Sequence, residues 1–284
     1  MRWRQGRRSS NIENRQRLNG KTAAGGGLGL LALALIVGLM GGDPTPLVQE
    51  GIERTIESHM SQKSDLSEEE NKELTDFVSV VLGSTEDVWG DVFAEQGEKY
   101  PPPTLVLFTG AVDSACGRAG SATGPFYCSR DQKIYIDLGF YHDLKSKLNA
   151  PGDFAQAYVI AHEVGHHIQN LVGVLDHVHN LQGRLSKADG NKLSVRLELQ
   201  ADCFSGVWAN AVQNDYNMIE EGDIDEALNA ASQIGDDRLQ KQAQGYVVPD
   251  SFTHGTSAQR KKWFKRGFDS GSLEACNSFE AEDL

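Results

Sequence analysis

Charged and apolar positions alternate along the chain in blocks that predict its elements. Residues Ala23 to Gly42 carry no charge over twenty positions, about the length a helix needs to cross the hydrocarbon core of a bilayer. Asp43-Pro44-Thr45-Pro46 breaks that run, and the chain stays polar to about Ser67. Ser67-Glu68-Glu69-Glu70 reads as an N-cap followed by acids in a first helical turn, with Leu74, Phe77, Val78, Val81 and Leu82 at helical spacing behind it. Pro101-Pro102-Pro103 closes the next helical segment. Thr104 to Phe108 has the β-branched and aromatic character of a buried strand, and Phe126 to Cys128 and Lys133 to Asp137 predict two more strands around a turn at Ser129-Arg130-Asp131. From Phe154 to Gly271 the period is helical with glycine punctuation. The expected class is α+β: an N-terminal transmembrane helix, a small antiparallel or mixed sheet, and a mainly helical C-terminal half. The boundaries are a basic arm over 1–22, a span over 23–42, a linker over 43–66 and a folded domain over 67–284.

Charge gives the span a direction. The chain has 284 residues and a net charge of -13. Residues 1–21 hold seven basic side chains against the single acid Glu13, so this arm is +6 and the remainder -19. Basic residues before the span and acids after it predict a cytoplasmic N-terminus and a domain in the periplasm or outside the cell, held to the bilayer through residues 23–42. A cleaved signal peptide has the same order of segments and also exports the domain. A body this acidic repels phosphate backbones, and the only local basic cluster is the segment Arg260 to Arg266, so nucleic acid is not an expected partner. All four cysteines lie beyond the span, as suits disulfides in an oxidising compartment. Three pairings are possible. Cys116 with Cys128 would staple a short glycine-rich loop and leave Cys203 to pair with Cys276. None of the four sits in a Cys-x-x-Cys pair, which speaks against a cysteine zinc site.

The residues that carry chemistry are His162-Glu163-Val164-Gly165-His166. They continue the apolar helix that Asp153 opens, which puts His162 and His166 one turn apart on one face, where both imidazoles reach a single Zn²⁺ while Glu163 faces the reacting water. Gly165 is expected to leave room above the metal for substrate or a strand to approach. A peptidase zinc needs a third protein ligand. Val172 occupies the position of a third histidine in the metzincin pattern, and Gln169 stands where that pattern needs glycine, so that class is excluded. Glu198 and Asp202, four apart on the helix from Leu193 to Phe204, supply the alternative: Glu198 binds the metal and Asp202 orients a ligand histidine through its second nitrogen. His177 and His179 are the rival third ligands.

Taken together, these segments resemble the bacterial neutral zinc metallopeptidases. The likeness is carried by Met1-Arg2-Trp3-Arg4, the glycine-rich span, Ala161-His162-Glu163-Val164-Gly165-His166-His167-Ile168-Gln169, Glu198-Leu199-Gln200-Ala201-Asp202-Cys203 and Phe252-Thr253-His254-Gly255, and it covers nearly the whole chain. The Glu-x-x-x-Asp element is also similar to that of gluzincin membrane peptidases, in which the Glu is the third ligand. The resemblance implies a zincin-like domain, a Zn²⁺ cofactor and hydrolysis of a protein or peptide substrate. Glu163 is then the general base, and a His or Tyr donor is expected near the developing oxyanion. His254, on a loop before the cap Gly255-Thr256-Ser257, is the candidate, and Tyr135 is a weaker one. The strand Lys133 to Asp137 is the expected edge for an extended peptide. A catalytically silent zinc-binding module and a membrane-tethered adaptor for a basic partner are the alternative functions.

Overall fold

The computed structural model describes residues 1–16 and 66–284. Its sheet has four strands in the order β1 (Ile12–Asn14), β2 (Thr104–Phe108), β6 (Lys133–Asp137) and β5 (Phe126–Cys128). The first two contacts are parallel and the last, β6 with β5, is antiparallel. A separate hairpin pairs β3 (Ala111–Ser114) with β4 (Gly117–Gly120). Among the described residues eight α-helices follow or flank these strands: α1 (Glu68–Glu95), α2 (Gly139–Ser146), α3 (Asp153–Leu171), α4 (Val174–Gln182), α5 (Lys187–Asn214), α6 (Asp223–Gln233), α7 (Asp236–Gln244) and α8 (Ser257–Ser270). The mixed α+β class and all three expected strands are present. One expectation about the sheet reverses. Lys133–Asp137 lies between β2 and β5, so β5 is the outer strand.

The N-terminal arm is part of this body. Trp3 is buried and meets Phe77 edge to face at 5.4 Å. Arg4 pairs with Glu73, Arg8 with Asp76 at 2.7 Å, and Arg7 with Glu86 and Asp87 at 2.8 Å each, so the basic residues line up along the acidic face of α1. The backbone of Arg7 crosses α1 at Gly83, where a Cβ would lie 2.4 Å from the Arg7 carbonyl oxygen. Beyond the crossing, β1 adds to β2 in parallel, with Ile12 opposite Leu105.

This packing overturns the transmembrane part of the expected fold class and the single-pass localisation. A lone span between the arm and the domain would put residues 1–16 and 66–284 on opposite sides of a bilayer, yet they share one sheet and one core. No helix among the described residues is long and apolar enough to cross a membrane, and the stretch 23–42 lies outside the described residues. Cleavage of a signal peptide there would also strip β1 from the sheet. The charge asymmetry that suggested topology is instead complementarity between the arm and α1.

The helical half forms the scaffold of the candidate site. Ser67 caps α1 with a reciprocal box to Glu70, and Thr256 caps α8 with the same box to Gln259, as the polar signals at both positions predict. Both expected disulfides form, Cys116–Cys128 tying the β3–β4 turn to β5 and Cys203–Cys276 tying α5 to the C-terminal segment. Helices α5 and α8 cross at two glycines. A Cβ on Gly267 would lie 1.9 Å from the Cys203 carbonyl oxygen, and one on Gly206 would lie 2.1 Å from the Phe264 carbonyl oxygen. Backbone thus meets backbone at this crossing, and neither helix can yield without moving the other.

Gly267→Ala is therefore expected to lower stability by about 3 kcal/mol, the upper part of the usual overpacking range, which for a domain of this size is roughly 6–12 °C in Tm. Gly90→Ala in α1, where a Cβ meets nothing within 4 Å, is the control and should be neutral or stabilising by up to about 1 kcal/mol. Thermal melts followed by circular dichroism compare the two directly. Equal Tm values for both variants would show that the crossing tolerates separation.

Candidate active site

Helices α3 and α5 run face to face, and Gly165 sets their distance. A Cβ there would meet the Ala201 backbone of α5 at 3.0 to 3.1 Å. The glycine thus makes room for α5 rather than for substrate, which corrects the sequence expectation. The close approach brings Glu198 between the two imidazoles: its carboxylate oxygens lie 3.1 Å from His162 Nε2 and 3.4 Å from His166 Nε2. Ligand atoms of His162, His166 and Glu198 all fall within 4.8 Å of one another, the clustering that three ligands of one tetrahedral zinc require. His177 and His179 belong to no such group among the described residues.

Each imidazole is held from behind. Asp202 Oδ1 lies 2.9 Å from His162 Nδ1, and Gln169 Oε1 lies 2.9 Å from His166 Nδ1. The Gln169 amide donates to the Leu197 carbonyl at 2.7 Å and to Gln200 at 3.0 Å, which leaves its oxygen as the acceptor facing His166. Asp202 is completely buried and accepts from four donors: Tyr158 Oη–H at 2.5 Å, His162 Nδ1–H, and Arg260 through Nε–H at 2.8 Å and Nη2–H at 2.9 Å. Both Nδ1 atoms therefore carry the proton, and both Nε2 lone pairs are available to a metal.

Electrostatics favours a divalent cation here. Burial alone would raise the Asp202 carboxyl, but Arg260 and His162 outweigh it and hold it below its ordinary range; His166 and His162 do the same for Glu198. Burial likewise opposes protonation of the two histidines, yet Asp202 and Glu198 prevail, leaving His162 at about 9 and His166 above its usual value. Of the carboxylates Glu163, Glu198 and Asp202, the first and last buried and Glu198 partly so, the guanidinium of Arg260 offsets one. The other two are balanced either by protons on the histidines or by one divalent ion that displaces them. The donor set of two imidazoles and one carboxylate suits zinc, so the residues present fit the metal.

Glu163 lies in the same turn of α3 and is buried, which raises its pKa above that of an ordinary carboxyl. A cleft of about 660 Å³ opens over these groups, lined by Glu163, His166 and Glu198 on its floor and by Pro125, Phe126 and Tyr127 of the β5 segment on one wall. Tyr127 Oη–H donates to His167 Nδ1 at 3.0 Å, while His167 Nε2–H donates to the Pro101 carbonyl at 2.7 Å. Burial holds His167 at about 4, so it stays neutral and pins β5 to α3.

His254 faces the same cleft from the loop before α8. Asp236, the first residue of α7, accepts three backbone N–H groups, those of Thr253, His254 and Gly255, at 2.6 to 3.1 Å, and its other oxygen lies 3.1 Å from His254 Nδ1. The carboxylate raises the imidazole pKa above its ordinary 6.5. Tyr135 is different. It is buried, stacks on Phe126 at 4.8 Å and donates its hydroxyl to Asp131 at 2.8 Å, so it is a packed strand residue.

The family model described as "putative neutral zinc metallopeptidase" matches residues 1–279. The chain belongs to that family. It is 50% identical to the uncharacterized protein YpfJ of Escherichia coli K12 over 289 residues, covering 98% of this chain and 99% of that protein. It is 43% identical to an uncharacterized protein of Mycobacterium tuberculosis H37Rv over 195 residues, 65% of each chain. No solved structure matches it. The family name implies zinc and a hydrolase, and the match includes the N-terminal arm that the structure places in the sheet.

The sequence picked out the two histidines and both acids of α5 that the structure brings together, but not Arg260, Gln169 and Asp236 behind them. Arg260 read as part of a basic surface cluster and is buried. Its signal was present: Arg260, Phe264 and Gly267 repeat on one face of α8, which marks that face as interior. Gln169 counted only as a departure from another pattern. Asp236 gave no local signal, because its partners lie 17 to 19 residues away across a loop.

Proposed function

We propose that this protein is a zinc-dependent peptidase in which His162, His166 and Glu198 hold the metal and Glu163 is the general base. The observation that carries the reading is the convergence of two oriented imidazoles and one carboxylate on the floor of a cleft, with a buried acid one residue from the first ligand. Zinc, when bound there, supplies a Lewis acid that polarises the scissile carbonyl and acidifies a water. Glu163 takes the proton of the attacking water and passes it to the leaving amine, a role that its raised pKa suits. His254, with Asp236 accepting from Nδ1–H, turns Nε2–H toward the cleft and donates to the oxygen that becomes negative in the transition state. The outer strand β5 has no partner on its far side among the described residues and borders the cleft, so an extended peptide can add to it as a further strand.

The test is zinc content of the purified protein together with cleavage of casein or a peptide library. Stoichiometric zinc with cleavage supports the reading, and stoichiometric zinc without cleavage of any substrate would favour a silent binding module. The intact base Glu163 favours the hydrolase, since a module that only binds has no use for a buried carboxyl at that position.

The His254 assignment gives a pH prediction. Only the imidazolium has an Nε2–H while Nδ1–H is given to Asp236. The folded pKa is raised above 6.5, so this donor is present below 6.5, persists above it, and disappears as pH rises through the folded value. Hydrolysis should accordingly have an alkaline limb that moves to lower pH in Asp236→Asn. His254→Phe should lower kcat by about 10²–10³-fold. An unmoved limb in Asp236→Asn would assign the alkaline titration to another group.

A further inference from the structure

One permanent cation lies inside the candidate metal site, and neither the reaction nor metal ligation uses it. Arg260 is 2% exposed and reaches the site from α8. Its Nε and Nη2 form a parallel fork on the two oxygens of Asp202 at 2.8 and 2.9 Å. The same Nη2 lies 3.4 Å from both ring nitrogens of His162, so the guanidinium lies against the imidazole, and it is 3.3 Å from Tyr158 Oη. Glu198 is farther away, at 3.8 Å.

We propose that Arg260 is a positioning residue for the zinc site: it clamps Asp202 in one orientation and through it fixes the ring plane and the Nδ1 proton of His162. The inference rests on the peptidase reading of the same site. Asp202 alone could turn about its χ2 and offer His162 either oxygen. A two-pronged cation removes that freedom, because rotation would break the two charge-assisted bonds. A lysine ammonium cannot reproduce the fork. The α5–α8 crossing at Gly206 and Gly267 is what makes the reach possible. Asp202 is one turn before Gly206, and Arg260 is two turns before Gly267, on the two facing surfaces.

Coulomb's law and positioning predict opposite signs here. Losing a cation 3.8 Å from a ligand carboxylate would by charge alone tighten zinc binding. If Arg260 positions His162, its loss weakens binding instead. The zinc dissociation constant of the full chain is measured by chelator competition for wild type, Arg260→Met, Arg260→Lys, Asp202→Asn and the Asp202→Asn/Arg260→Met pair. Melting curves of each protein are recorded with and without zinc.

Arg260→Met should weaken zinc about 10- to 100-fold, the effect typical of groups that orient a ligand. Arg260→Lys should recover part of the loss, and the double variant should bind zinc no more weakly than Asp202→Asn alone. An unchanged or tighter dissociation constant in Arg260→Met, with Tm lowered equally with and without zinc, would show a purely structural tie and overturn the proposal. Additive losses in the double variant would overturn it as well. Should the methionine variant not fold, the lysine variant decides by the same criterion. A wild type that takes up no zinc removes the peptidase reading itself, whereas zinc-binding wild type with unaffected Arg260 variants removes only the role of Arg260.

Discussion

Glu163→Gln is expected to lower peptide hydrolysis by about 10²–10⁴-fold or more, the range typical of a lost general base, while zinc content stays at the wild-type level. The amide keeps the volume and polarity of the side chain, so the packing of α3 against α5 is undisturbed. What it loses is the ability to accept a proton and pass it on. Glu163 is not one of the three residues whose ligand atoms cluster, so the metal has no reason to leave. Its burial raises the pKa of the carboxyl, which places the base closer to neutral pH than an exposed glutamate and makes its removal more costly. Steady-state rates and metal analysis on the same preparations decide the matter. Hydrolysis within about threefold of wild type would assign the base to another residue, and zinc lost together with activity would assign Glu163 to the metal.

The core of this prediction was readable from sequence because it depends on one helix. His162, Glu163 and His166 sit within five residues, and helical periodicity alone puts the two imidazoles on one face. The same holds for Glu198 and Asp202. The three strands and the helix N-caps at Ser67 and Thr256 were equally legible, since each is encoded over a few neighbouring positions. Contacts between distant segments were not. The arm 1–16 carries four of its basic residues, Arg4, Arg7, Arg8 and Arg15, as counter-ions to α1 or the sheet edge, and nothing local distinguishes an arginine that meets Glu73 or Asp76 from one that meets a lipid headgroup. An uncharged run following a basic arm therefore read as topology. The 3-residue strand β1 was too short and too polar to announce itself.

Glycines were misread for the same reason. Gly165 within the zinc motif looks like space for a ligand until the Ala201 backbone is seen 3 Å from where its Cβ would be. Its function is to let α5 approach, and only that approach delivers Glu198 to the histidines. The proposed third ligand is thus a property of helix packing. The sequence could nominate Glu198 by spacing, but what sets it apart from His177 and His179 is that α5 meets α3 at Ala201 and brings its carboxylate to 3.1 and 3.4 Å from the two imidazoles, whereas His177 and His179 are exposed and join no such cluster among the described residues.

Glu198→Ala is accordingly expected to lose zinc. The weakening should exceed the roughly 10- to 100-fold typical of groups that merely orient a ligand, because a direct bond to the metal and a full negative charge disappear together. Two imidazoles remain, and with no carboxylate between them each loses a partner that holds its pKa up, leaving Asp202 beside His162 and Glu163 beside His166. Burial is then opposed by less, so the histidines titrate lower and the metal-free site no longer needs two protons to be neutral. Zinc uptake at neutral pH by wild type should therefore release protons, and by Glu198→Ala, at zinc concentrations high enough to force binding, fewer. Isothermal titration in two buffers of different ionisation enthalpy measures that number directly. Retention of zinc at wild-type affinity in Glu198→Ala would instead make a histidine of α4 the third ligand and require α4 to move toward the cleft floor. Comparison with Glu163→Gln separates the two acids: one variant keeps the metal and loses the reaction, the other loses both, and the difference between them is the difference between a proton acceptor and a ligand.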